Sequence, residues 1–172
     1  MTVRVMGVAI GLPEPWATDL RRWRYELGDP MADAIPPHVT LVPPTEVDET
    51  EIAEIERHLD DVAAGQPTFE IQLRGTGSFR PVSPVVFIAL AVGISGCERV
   101  EKAVRSGPLA RTLKFNYHPH VTVAHDLPGD TLDFAFSALA DFRAAFEVRS
   151  FGLFERGLDG VWRTAREFAL RG

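Results

Sequence analysis

The sequence predicts an α+β fold, with two pseudo-symmetric lobes whose mainly antiparallel sheets line a central cleft and whose helices lie outside. Three observations predict it. Short segments with two-residue apolar alternation are interleaved with segments of helical spacing along all 172 residues. The tetrapeptide Pro37-His38-Val39-Thr40 returns as Pro119-His120-Val121-Thr122, each copy opening a short strand. The two copies are followed, after a helix, by Phe69-Glu70-Ile71 and Phe146-Glu147-Val148. No stretch has linker composition, so residues 1–172 read as one bilobal domain with an internal duplication.

Taken in order, residues 3–10 are an apolar first strand; Pro13-Glu14-Pro15 follows with no small-residue cleavage site, which argues against a secretion signal. A helix over 14–27 carries Trp16, Leu20, Trp23 and Leu27 at helical spacing and stops at Gly28, both tryptophans reading as core. Residues 38–42 form a short strand between Pro37 and Pro43. Asp48 with Glu51 makes a capping-box arrangement, and Ile52, Ile55, Leu59 and Val62 line one face of the helix that ends near Gly65. His58, among Arg57, Asp60 and Asp61, reads as a solvated residue on its polar face.

Phe69, Ile71 and Leu73 alternate with Glu70, Gln72 and Arg74 as in a half-buried strand, and another strand spans 85–92. The second half repeats the scheme: a helix over 96–106 with Cys97, Val100 and Val104 inward, and a strand over 120–124. A helix over 130–143 with Leu132, Phe136 and Leu139 inward follows, and strands near 146–154 and 161–168 close the chain.

Composition excludes whole classes. The chain is 45% hydrophobic and 24% charged, unlike a disordered or fibrous protein. The apolar run from Val85 to Ile94 is roughly half the length of a spanning helix, so no membrane partner is expected. Eighteen basic residues against twenty-four acidic ones give a net charge of −6, the wrong sign for gripping a long duplex by counterion release. A single phosphate or an oligonucleotide end remains compatible with it. The lone Cys97 excludes an intrachain disulfide and a multi-cysteine zinc site, and suggests a reducing, cytoplasmic setting.

The paired tetrapeptide carries the chemistry. Chance places a His-x-Thr match about 0.3 times in a chain of this composition, and the full Pro-His-Val-Thr match about a few thousandths. Strand pleating puts His38 and Thr40 on one face with Val39 and Leu41 on the other; His120 and Thr122 stand likewise against Val121 and Val123. If the duplication sets the two strands side by side, two imidazoles and two hydroxyls converge. One imidazole can then accept a proton while the other donates one, and the hydroxyls can hold phosphate oxygens. The rival is a metal site from His118, His120 and His125, which lacks a nearby Glu or Cys to complete it; Asp126 is the only adjacent carboxylate.

The segment Gly75-Thr76-Gly77-Ser78-Phe79-Arg80-Pro81 reads either as a turn or as a cleft wall, with Phe79 stacking a base and Arg80 meeting a phosphate. Tyr117, Arg111 and Lys114 precede the second tetrad and are candidates for reaching substrate or for ordinary surface positions.

Two His-x-Thr-aliphatic tetrads, residues 38–41 and 120–123, in a small duplicated chain resemble the 2H phosphoesterase superfamily, and within it the bacterial 2′-5′ RNA ligase-like group of RNA 2′,3′-cyclic phosphodiesterases. Val123 stands where leucine is common in that pattern. The resemblance implies a bilobal α+β fold with a central cleft. It also implies cofactor-free, metal-independent opening of 2′,3′-cyclic phosphates and, in some relatives, reversible 2′-5′ joining. On it, His38, Thr40, His120 and Thr122 are the expected catalytic residues, with His120 as base and His38 as acid. Phe79, Arg80 and Tyr117 are the expected substrate contacts. The expected partner of a monomeric chain is an RNA 3′ end or a small nucleotide with a cyclic phosphate. The alternatives are a non-catalytic module for terminal phosphates, or a hydrolase of another cyclic phosphodiester.

Overall fold

The computed structural model describes residues 2–172. Its elements are β1 (Val3–Gly11), α1 (Trp16–Glu26), β2 (His38–Asp48), a 3-10 turn (Glu49–Glu51), α2 (Ile52–Gly65), β3 (Phe69–Ser78) and β4 (Val85–Val92). They continue as α3 (Ile94–Val104), a 3-10 turn (Gly107–Leu109), β5 (His120–His125), α4 (Gly129–Ala138), β6 (Arg143–Val148), β7 (Ser150–Arg156) and β8 (Trp162–Ala169).

The eight strands form two four-stranded sheets, ordered β2-β1-β7-β8 and β5-β4-β3-β6, with every observed pairing antiparallel. The two tetrad strands, β2 and β5, are the edge strands of different sheets and lie against each other. Helix α1 packs on β5 and α3 on β2, so each tetrad strand is covered by the helix from the other half. One apolar cluster joins both sheets and all four helices through residues such as Leu20, Val39, Leu59, Ile71, Val100, Val121 and Leu132.

Neither sheet coincides with a half of the sequence. The sheet carrying His38 takes β1 and β2 from the start of the chain and β7 and β8 from its end. The repeated triplets pair with each other: Phe69 lies opposite Val148 and Ile71 opposite Phe146, which groups their apolar side chains on one sheet.

Several local expectations shift. Strand β2 runs on through Pro43 and Pro44 to Asp48, which an edge strand tolerates because a missing N–H there breaks no interior ladder. The capping box forms as expected, but on the 3-10 turn, with Thr50 N–H donating to Asp48 and Asp48 N–H to Glu51. Helix α3 starts at Ile94 and ends at Val104, two residues ahead of expectation at both ends. Helix α4 ends at Ala138 because residues from Arg143 onward join the sheet, where Arg143 opposes Arg74 and Gly75 N–H bonds the Phe142 carbonyl. Phe136 is 40% exposed, not inward: Leu132, Ala135 and Leu139 form the buried stripe, and Phe136 falls off it. The strand expected over 146–154 is two strands in different sheets, exchanged at Arg149. His58 is not merely solvated, since its Nε2–H donates to the Val104 carbonyl at 3.0 Å and ties α2 to the end of α3.

Among the described residues no helix is long and apolar enough to cross a membrane.

Candidate active site

Burying Val39 and Leu41 on β2, and Val121 and Val123 on β5, turns His38, Thr40, His120 and Thr122 to the opposite faces, where all four are half-buried. The two histidines are held by the same device. His38 Nδ1 lies 2.7 Å from the Pro36 carbonyl, and His120 Nδ1 lies 2.7 Å from the His118 carbonyl. A carbonyl only accepts, so each Nδ1 carries the proton and each neutral ring presents its lone pair at Nε2. On β2, that Nε2 sits 3.1 Å from the Thr40 hydroxyl.

Both imidazoles are held below the ordinary histidine range. Burial is the first cause for His120, lowered to about 4; its bond to the His118 carbonyl partly opposes this, and the charges of His118 and His38 add to it. Burial also comes first for His38, with the nearby Arg24 guanidinium reinforcing the shift.

The ring of His120 stands in an aromatic box. Phe79 meets it edge-on at 4.9 Å between centroids, Phe87 lies 5.2 Å away, and His118 5.4 Å away. Phe87 opposes both Thr122 and Gly77 in register. A Cβ on Gly77 would fall 2.5 Å from the Phe87 ring, so this strand position has to be glycine for Phe87 to lie where it does. Phe87 was hidden in the sequence inside the apolar run of β4.

The other expected contacts fall as follows. Arg80 donates from Nη1 to Asp133 on α4 at 2.8 Å and from Nε to the Ser78 hydroxyl at 3.2 Å. Tyr117 donates its hydroxyl to the Thr40 carbonyl at 2.7 Å, joining the approach to β5 directly to β2; burial pushes its phenol well above the usual range. Arg24, unremarked in the sequence, is buried in an ion pair with Asp29 at 2.8 Å and reaches the Ile35 carbonyl, bracing the loop that carries Pro36. No sequence signal separates it from the other arginines of α1. His125 pairs with Asp126 at 3.3 Å, and among the described residues no group of three His, Cys, Asp or Glu side chains is placed to hold a metal ion.

The chain resembles known proteins in sequence and in structure. The pattern of the 2′-5′ RNA ligase superfamily matches residues 12–160. A protein of Geobacillus kaustophilus, provisionally named a phosphoesterase, is 31% identical over 140 residues, 80% of either chain. A similarly named protein of Bacillus licheniformis is 30% identical over 151 residues, 87% of either chain. Among solved structures, E. coli LigT in complex with 3′-AMP superposes with a TM-score of 0.70 at 22% identity, covering 98% of this chain and 99% of that one. Apo E. coli LigT gives 0.68 at 22% identity, covering 100% of both chains.

Proposed function

The chain belongs to the 2′-5′ RNA ligase superfamily, and on that premise we propose that it is a phosphoesterase opening 2′,3′-cyclic phosphates, at RNA 3′ ends or on nucleotides, to 2′-phosphates. The names of its curated relatives support the coarser part of this reading. The observation that carries the finer part is the matched anchoring of His38 and His120, each with Nδ1–H on the carbonyl two residues upstream and a threonine on its own face.

The step balances with these groups alone. Water attacks phosphorus and gives its proton to Nε2 of His120; the bond from phosphorus to O3′ breaks, and O3′ takes a proton from protonated His38. The product is a 2′-phosphomonoester with a free 3′-hydroxyl, and the proton gained by His120 is exchanged for the one lost by His38. The hydroxyls of Thr40 and Thr122 donate to the non-bridging oxygens, where negative charge builds. A 5′-hydroxyl in place of water, acting on the same cyclic ester, gives the 2′-5′ joining that the superfamily's name describes.

In the free protein both rings are held toward the neutral form, so the acid needs a proton that the anionic substrate helps to retain by raising the pKa of a facing imidazole. A 2′,3′-cyclic-phosphate oligonucleotide assayed in EDTA tests the reading. Turnover to the 2′-phosphate is expected, with His38→Ala and His120→Ala each lowering kcat by about 10²–10⁴-fold. No turnover by the wild type, tight binding without turnover, or full activity in both variants would overturn it.

A further inference from the structure

Beside His38 and Thr40, on the same face of their sheet, lies a cavity that the chemistry above leaves unused. Its floor is β1 at Gly7 and Ala9, its near wall is β2, and its far wall is the half-buried rings of Phe154 on β7 and Trp162 on β8. Gly7 opposes Phe154 in register, and Ala9 opposes Thr40. The Trp162 ring closes over Gly7: a Cβ there would lie 3.6 Å from the indole and 3.3 Å from the Val42 carbonyl. The backbone N–H of Trp162 donates to the Ala34 carbonyl at 2.7 Å, which fastens the start of β8 to the loop leading to His38. Among the described residues no charged side chain lines this space, and its polar groups are the side chains of His38 and Thr40 and the indole N–H of Trp162.

We propose that this cavity is the subsite for the base of the nucleoside carrying the phosphate, with Trp162 as its stacking platform. The inference rests on the function proposed above, which puts phosphorus at His38 and Thr40. A nucleoside attached there has to leave the phosphate in some direction, and this cavity opens from those two residues. Its surroundings suit an uncharged, flat group: two aromatic rings on one side, a floor without bulky side chains, and proline at Pro43 on the rim. With His38 and Thr40 committed to the phosphate and the Trp162 indole to stacking, the other described lining residues are apolar or glycine and carry no side-chain group to read the hydrogen-bonding edge of a base. The subsite therefore accepts all four bases, binds purines more tightly by their larger stacking area, and leaves specificity to the phosphate.

Calorimetric binding of adenosine 2′-monophosphate and of ribose 2-phosphate, which lacks the base, separates this inference from the proposed reaction because neither measurement needs turnover. Wild type is expected to bind the adenosine compound about 10-fold or more tightly than the baseless one. Trp162→Ala should abolish that margin and leave ribose 2-phosphate binding within about twofold, and Trp162→Phe should keep most of the margin. The unchanged ribose phosphate affinity reports that the variant is folded. Equal binding of the two compounds by wild type, no binding of either, or a margin that survives Trp162→Ala would overturn the subsite. Failure of the cyclic ester to react would overturn the function alone.

Discussion

At the residue scale, the orientation of the two tetrad imidazoles is set by backbone carbonyls. Pro36 and His118 each accept from a histidine Nδ1–H, which leaves the opposite nitrogen of each neutral ring with its lone pair. The tetrads make the two imidazoles visible in the sequence, and Phe79 and His118 also stand out there, but Arg24 and Phe87 do not. Arg24 acts on His38 from another element, and Phe87 reaches the His120 ring only because β4 pairs with β5. The tuning has a sign that can be checked. Both pKa values are lowered from 6.5, His120 to about 4. With the roles proposed above, the base His120 is available above about pH 4, and the acid His38 of the free protein loses its proton below 6.5. The profile of kcat/KM against pH is expected to be a bell with both limbs on the acid side of 6.5, while the profile of kcat moves upward because bound anion favours the charged rings. Limbs of kcat/KM that straddle pH 7 would contradict the tuning.

At the scale of elements, amphipathic spacing located all four helices and placed most of their inward residues; it failed where tertiary pairing competes with helical propensity. Residues 139–143 have no internal signal that ends α4, because what ends it is the ladder between β6 and β3. Phe136 fits the inward stripe by spacing, four residues after Leu132, but Ala135, three residues after it, takes that place. The structure buries Leu132 and Ala135 and leaves Phe136 outside. Leu132→Ala is accordingly expected to lower the unfolding free energy by about 2–5 kcal/mol in urea titration, and Phe136→Ala by less than about 1 kcal/mol. Comparable losses at the two positions would contradict the buried stripe.

For the whole molecule, the repeat in the sequence announced a paired architecture but not how its parts are exchanged. Strand order is set by long-range pairing, such as β1 with β7, for which short motifs carry no signal. What the arrangement achieves is to bring two edge strands from different sheets together, with Tyr117, just ahead of β5, donating to the Thr40 carbonyl of β2 across the junction. The net charge of −6 then limits what such a site can hold. A terminal phosphate engages few cations, so binding of a single-stranded oligonucleotide ending in a 2′-phosphate is expected to fall with salt at a log–log slope no steeper than about −1.5. A slope near −4 or beyond, measured by fluorescence anisotropy from 50 to 200 mM salt, would indicate backbone tracking instead.

The central claim is that His38 and His120 act on one phosphorus. A crystal structure with adenosine 2′-monophosphate tests it most directly: Nε2 of both rings should lie within about 3.2 Å of oxygens on the same phosphorus, with the hydroxyls of Thr40 and Thr122 on its remaining oxygens. A phosphate bound by one ring alone, or seated away from both, would contradict the account.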